Sequence, residues 1–250
     1  MVFNRIYYNN MESCIKVINS GSNGNCLAIY DSRGKYVLID LGVKYGFIIK
    51  GVNYNLQDCV AAFVSHIHSD HSIAIDECLK RGINIYANED VRSKYDACKP
   101  MPRTLVFNEN GFRVRTFAVE HNVPNNAFII DTIDGILVLY ITDAKKIPYR
   151  IKNVNYAIVE CNHDEEYIIQ NEIDGVENRS KYYNHLSLGK CIDYLKNIYN
   201  EKMRGILLWH TSTTNLDGMC ALKKVQKELG FNNVEIAVPS LVMETEKELF

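Results

Sequence analysis

The sequence predicts an α/β (α+β) fold in which mixed β-sheets are covered by helices. Three observations carry this. The first half is a succession of short apolar runs separated by turn residues. The second half alternates such runs with segments of helical spacing. Apolar side chains make up 47% of the 250 residues, enough for a sizeable core.

Taken in chain order, residues 25–30 and 35–39 are apolar runs joined by Asp31-Ser32-Arg33-Gly34, a turn tetrapeptide, and predict a hairpin. Val60-Ala61-Ala62-Phe63-Val64 reads as a buried strand, with a helix expected over 72–81. Further strands are expected near 83–86, 104–107, 112–119, 126–131 and 135–142, with Asp134-Gly135 turning the chain between the last two. A strand over 156–159 follows. Leu188, Cys191, Ile192, Leu195, Ile198 and Tyr199 then recur at helical spacing, with Ser187 as the N-cap. A strand over 205–208, a helix over 217–229 and a strand over 234–238 complete the pattern. No linker, repeat or composition break interrupts it, so residues 1–250 read as one domain.

Composition excludes several classes of function. No apolar stretch approaches the length of a membrane span, and the first residues lack the apolar core of a signal peptide. The eight cysteines are scattered singly with no CxxC pair, which argues against a thiolate zinc site and for reduced thiols in a cytoplasm-like compartment. Net charge is -2, without a dense basic run, so a small substrate fits better than a long polynucleotide. Lys145, Lys146, Arg150 and Lys152 form the one tempting cluster and read as a solvated face.

The most informative stretch is "SHIHSDHS", residues 65–72. His66, His68, Asp70 and His71 fall within six positions at the mouth of the strand over 60–64. His66 and His68, two apart in extended backbone, project to one side. Imidazole and carboxylate donors together suit zinc, iron or manganese. Such a loop offers part of a ligand shell, and other strand ends must supply the rest. His121, Asp143 and His210 each sit just past an apolar run. Alone, each is more often a cap or turn residue; it is their repetition that points to a metal.

This pattern resembles the metallo-β-lactamase superfamily, through Asp40 in "VLIDLG", the "HIHSDH" loop, His121 in "VEHNVPNN", Asp143 in "YITDA" and His210 in "LLWHTS". The resemblance implies a four-layer αββα sandwich of two mixed β-sheets flanked by helices, with two divalent metal ions, zinc or manganese, at one edge. It implies that His66, His68 and His121 hold the first ion, that Asp70, His71 and His210 hold the second, and that Asp143 bridges them. Asp40 would orient ligands without binding metal.

Two further matches narrow the chemistry. Glu160 in "AIVECNHD" and His185 in "NHLSLGK" follow the order of a Glu and a His that pair in the transfer-RNA 3′-processing nucleases of this superfamily. A carboxylate beside an imidazole raises its pKa, so the ring can stay protonated and donate to a leaving alkoxide. As residues alone, His185 also reads as a helix-start cap and Glu160 as a surface carboxylate. By resemblance the catalytic set is Asp70, His185 and Glu160.

"SGSNGNC" at 20–26 with "VEHNVPNN" and "ECNHD" resembles the WalJ/YycJ group and phage-encoded anti-Pycsar enzymes. On residues alone "SGSNGN" is a tight turn needing positive φ at Gly21 and Gly24. The resemblance implies a phosphodiesterase converting cyclic mononucleotides to nucleoside 5′-monophosphates for immune evasion, in the host cytoplasm if phage-encoded. A DNA or RNA nuclease of the WalJ or RNase Z kind is the alternative, and a nucleotide-binding protein without turnover ranks last. Anti-Pycsar relatives are homodimers in which a partner loop closes the site. Residues 88–103 with Tyr95, or Tyr182 and Tyr183, are candidates for such a cap, and otherwise read as ordinary surface or core aromatics.

Overall fold

The structure is a computed structural model and describes residues 13–107, 110–173 and 182–245. Two seven-stranded sheets are present among them. The first holds β1 (Cys14–Asn19), β2 (Cys26–Tyr30), β3 (Tyr36–Ile39), β4 (Cys59–Val64), β5 (Ile85–Ala87), β6 (Lys99–Pro100) and β14 (Val242–Glu244), in the order β14-β1-β2-β3-β4-β5-β6. The second holds β7 (Thr104–Phe107), β8 (Phe112–Val119), β9 (Asn125–Asp131), β10 (Leu137–Ile141), β11 (Tyr156–Glu160), β12 (Gly205–Trp209) and β13 (Val234–Ile236), in the order β13-β12-β11-β10-β9-β8-β7. Both are mixed. β3, β4, β5 and β6 are parallel neighbours, as are β10, β11, β12 and β13, while the remaining pairs are antiparallel.

Burial explains why the central strands read as unbroken apolar runs: both their faces are covered. On β4, Ala61 and Phe63 enter the core between the sheets, and Ala62 and Val64 pack outward. On β12, Leu207 and Trp209 face inward, and Ile206 and Leu208 outward. The outer face of the first sheet is covered by α1 (Tyr45–Gly51), α3 (Ile75–Lys80) and α4 (Glu89–Lys94), through Ile48, Ile75 and Val91. The outer face of the second is covered by α6 (Leu188–Ile198) and α7 (Gly218–Leu229), through Leu188, Leu195, Ala221 and Val225. Helices, sheet, sheet, helices is the expected four-layer sandwich. Each large apolar side chain buried in it stabilises the fold by about 1.5–3 kcal/mol. No described helix is long and apolar enough to cross a membrane.

Boundaries follow local chemistry. The Ser187 and Asp217 side chains cap α6 and α7, and Gly230 ends α7 in the left-handed conformation. The single helix expected over 72–81 is two, α2 (Ser69–Ser72) and α3, because Ala74 N–H donates to Leu41 O across the structure. The strand expected over 234–238 ends at Ile236. α5 (Glu165–Ile173) lies where no helix was expected. Tyr95 is partly buried against the core outside the first sheet, an ordinary packing role.

Candidate metal centre

Strand direction decides where the site lies. β10, β11 and β12 are parallel, so their C-terminal ends share one edge. β8 is antiparallel to β9, which is antiparallel to β10, so β8 also ends there. β3 and β4 end together in the facing sheet. Asp40 follows β3, His66 follows β4, His121 follows β8, Asp143 follows β10, Glu160 closes β11 and His210 follows β12. Asp40, Asp143 and His210 adopt positive φ of 58°, 48° and 50°. Such backbone is uncommon for non-glycine residues and clusters at functional sites. It is held in place by hydrogen bonds. Asn125 Nδ2 donates to Thr142 O and Asp143 O at 2.9 Å, and His210 N–H donates to Ser20 Oγ at 2.9 Å.

The side chains converge in three groups that share Asp143, two built on the histidine loop and a third of Asp143, Glu160, His185 and His210. The two on the loop are His66, His68, His121 and Asp143, and Asp70, His71, Asp143 and His210. Within each, the candidate ligand atoms lie within 4.8 Å of one another. Asp143 Oδ2 is 3.7 Å from His66 Nε2 and 3.8 Å from His121 Nε2, and Oδ1 is 3.3 Å from His71 Nε2 and 2.7 Å from His210 Nδ1.

Proton placement tests whether a cation fits. Asn184 O can only accept, so His121 Nδ1 donates to it at 3.1 Å and its neutral ring turns the Nε2 lone pair inward. Ser65 Oγ donates its one hydrogen to Asp40 Oδ2 at 3.0 Å, so it accepts from His66 Nδ1 at 3.0 Å. The His66 lone pair is then also on Nε2. Burial pushes both of these rings toward the neutral form. Two lone pairs thus face His68 Nδ1, at 3.1 and 3.4 Å. His210 gives the second sign. Its Nδ1 is close to Asp143, yet neither buried ring nitrogen makes an aligned hydrogen bond. Burial would lower its pKa, but the carboxylates of Asp143 and Glu160 raise it to about 10. Burial opposes protonation of His71 too, and Asp143 and Asp40 raise it well above the ordinary value. This cluster calls for positive charge, and its N/O donor set suits divalent cations. His66, His68 and His121 would hold one, and Asp70, His71 and His210 another, with Asp143 between.

Asp40 is in none of the ligand groups and acts through its hydrogen bonds. Its carboxylate accepts from Ser65 N, Ser65 Oγ, His71 Nδ1 and Tyr140 Oη at 2.7, 3.0, 2.7 and 2.7 Å. It fixes which nitrogen of His71 turns to the centre.

Glu160 is fully buried and is no surface carboxylate. Its Oε1 accepts from His185 Nδ1 at 2.6 Å, and its Oε2 accepts from Ala144 N and Leu186 N at 2.8 and 3.0 Å. Burial would lower the His185 pKa, and Glu160 raises it above its ordinary value. His185 Nδ1 is 3.8 Å from Asp143 Oδ2, so the pair abuts both ligand groups. The cap of α6 is Ser187, not His185.

Sequence reading missed several supporting residues. Gly21 and Gly24 do take positive φ, 112° and 131°, but the loop does more than turn. Asn25 N donates to Asp70 O at 2.7 Å, and Asn25 Nδ2 lies 3.1 Å from His71 Nε2. Gly42 N donates to Asn25 O at 2.9 Å. A Cβ on Gly42 would collide with Asp70 O, and one on Gly24 with Gly42 O. Tyr140 lies inside a strand, where nothing local distinguishes it from a packing residue, and Asn125 opens one.

Known proteins share the fold and part of the sequence. The anti-Pycsar protein Apyc1 family matches residues 18–87, from the glycine loop through the histidine loop. Exodeoxyribonuclease WalJ of Streptococcus pneumoniae is 26% identical over 173 residues, 61% of this chain and 63% of WalJ. The metallo-β-lactamase fold protein YhfI of Bacillus subtilis superposes with a TM-score of 0.72 at 16% identity, covering 94% of this chain and all of YhfI (100%). Zn2+-bound PqqB of Methylobacterium extorquens gives 0.72 at 13% identity, covering 93% and 100%. The chain therefore has the metallo-β-lactamase fold, with sequence likeness to WalJ and, over the segment bearing the histidine loop, to the anti-Pycsar Apyc1 family.

Proposed function

We propose that this chain is a dinuclear-metal phosphodiesterase that hydrolyses cyclic mononucleotides to nucleoside 5′-monophosphates. The observation that carries the reading is the Glu160–His185 pair set against Asp143, the residue common to both ligand groups. When bound, divalent cations supply Lewis acidity to a phosphoryl group and acidify water. The chain's own residues do the rest. Asp70 takes up the proton that water loses as its oxygen bonds to phosphorus. Glu160 holds His185 through Nδ1, which leaves Nε2 to protonate the departing 3′ oxygen as the P–O bond breaks.

The cyclic substrate is supported by the Apyc1 match and by a net charge of -2 without a basic run. A phage enzyme of this kind would remove a nucleotide signal in its host's cytoplasm, acting as a homodimer as the anti-Pycsar resemblance implies. The likeness to WalJ favours a second reading, an exonuclease using the same residues on linear DNA. A panel of cyclic mononucleotides, linear DNA, linear RNA and bis(p-nitrophenyl) phosphate, with added zinc or manganese, separates the two. Turnover of cyclic nucleotides is expected. Degraded DNA beside intact cyclic nucleotides would establish the nuclease, and an inert panel would leave a binding protein.

A further inference from the structure

Beside His185 lies a cavity of about 420 Å³, a size suited to a small ligand. One wall is apolar. Ile168 and Ile169 come from α5, and Tyr183 from the 3-10 turn Tyr182–Asn184. Tyr183 and Ile169 are 66% and 59% exposed, a large apolar surface beside a polar centre. Lys145 and Lys190, both exposed, also line the cavity, together with His163 and Glu165. Lys145 follows Asp143 by two positions, and Lys190 stands in the first turn of α6.

The turn bearing Tyr183 is anchored to the metal centre. Asn184 O accepts from His121 Nδ1 at 3.1 Å, and His185 follows directly, bound to Glu160. A flat ring two residues before the proton donor is thus held on the same short segment. A ligand with a planar apolar end and an anionic end matches this cavity, and a nucleotide has both.

We propose that this cavity seats the nucleoside of the substrate, with Tyr183 as the face on which the base stacks and Lys145 and Lys190 drawing in the anionic diester. This rests on the phosphodiesterase reading, and it makes Tyr183 a specificity residue. Because a base offers a π-face whatever its identity, the platform favours nucleosides over other alcohols more than one base over another.

The test uses the metal-loaded full chain and two chromogenic diesters, the p-nitrophenyl ester of thymidine 5′-monophosphate and methyl p-nitrophenyl phosphate, which has no base. In Tyr183→Ala the preference for the nucleoside ester, as a ratio of kcat/KM values, is expected to fall about tenfold, chiefly through KM, and Tyr183→Phe is expected to restore it. An unchanged ratio in Tyr183→Ala, with the wild type active, overturns the platform and leaves the phosphodiesterase standing. If the wild type cleaves no diester, that reading falls by itself. Calorimetry with adenosine 5′-monophosphate then decides the platform: binding about tenfold weaker in Tyr183→Ala supports it, and equal binding overturns it.

Discussion

Oε1 of Glu160 lies 2.6 Å from Nδ1 of His185, while Oε2 is occupied by the backbone N–H groups of Ala144 and Leu186. A buried carboxylate satisfied on every side cannot swing away from its partner. The imidazole is therefore held in one orientation with one tautomer, and its charge state is set by a neighbour that does not move. This joins a strand end and the residue after the 3-10 turn, 25 positions apart, in one hydrogen-bonded pair.

Replacing Glu160 with Gln keeps the shape and removes the charge. Burial lowers the His185 pKa and the carboxylate raises it. Without the carboxylate, burial prevails and the pKa falls. A general acid works only while protonated, so the basic limb of the kcat/KM profile is expected at lower pH, by about 1–3 units. A pH profile that keeps its basic limb in place would show that Glu160 does not tune this ring.

His185→Ala separates proton donation from metal binding. His185 is in neither group built on the histidine loop; it belongs to the third group, with Asp143, Glu160 and His210, where Glu160 already holds its Nδ1. Turnover is expected to fall about 10²–10⁴-fold, while metal content by elemental analysis stays at the wild-type level. Wild-type rates in this variant would remove His185 from the chemistry.

Asp143→Ala has the opposite signature. Its two oxygens lie within 3.8 Å of ring nitrogens from His66, His71, His121 and His210. Metal and activity are expected to be lost together, with circular dichroism reporting whether the fold persists. Full metal content in the folded variant would show that Asp143 does not join the two groups.

Much of this was legible in the sequence because chemistry and topology coincide. A fully buried strand is a continuous apolar run, and a strand end in a sheet of parallel neighbours is where a polar residue becomes functional. That made His66, Asp143 and His210 visible. Asn25, Tyr140 and Ser65 were not visible. Their roles depend on which loops lie side by side, and that is fixed by packing between sheets. Asn25 looked like part of a turn, and its contact with Asp70 spans 45 positions. Similarly, the helix over 72–81 broke at a hydrogen bond from Ala74 to Leu41, which no periodicity encodes.

Asp40→Asn probes this hidden layer. The carboxylate accepts four hydrogen bonds in a fully buried site. An amide can present its oxygen to some of these donors, but its NH2 group then faces the others donor to donor. The partner with most at stake is His71, because donation from Nδ1 to Asp40 leaves Nε2 for the centre. Loss of that orientation is expected to weaken metal binding about 10–100-fold. The buried donors left unpaired cost about 1–3 kcal/mol in stability. Metal titration monitored by calorimetry reads the first effect, and denaturant unfolding of the metal-free protein reads the second. A variant that is less stable but binds metal as the wild type does would make Asp40 a purely structural residue, whereas weakened binding with most of the stability retained would assign it the task of aiming His71.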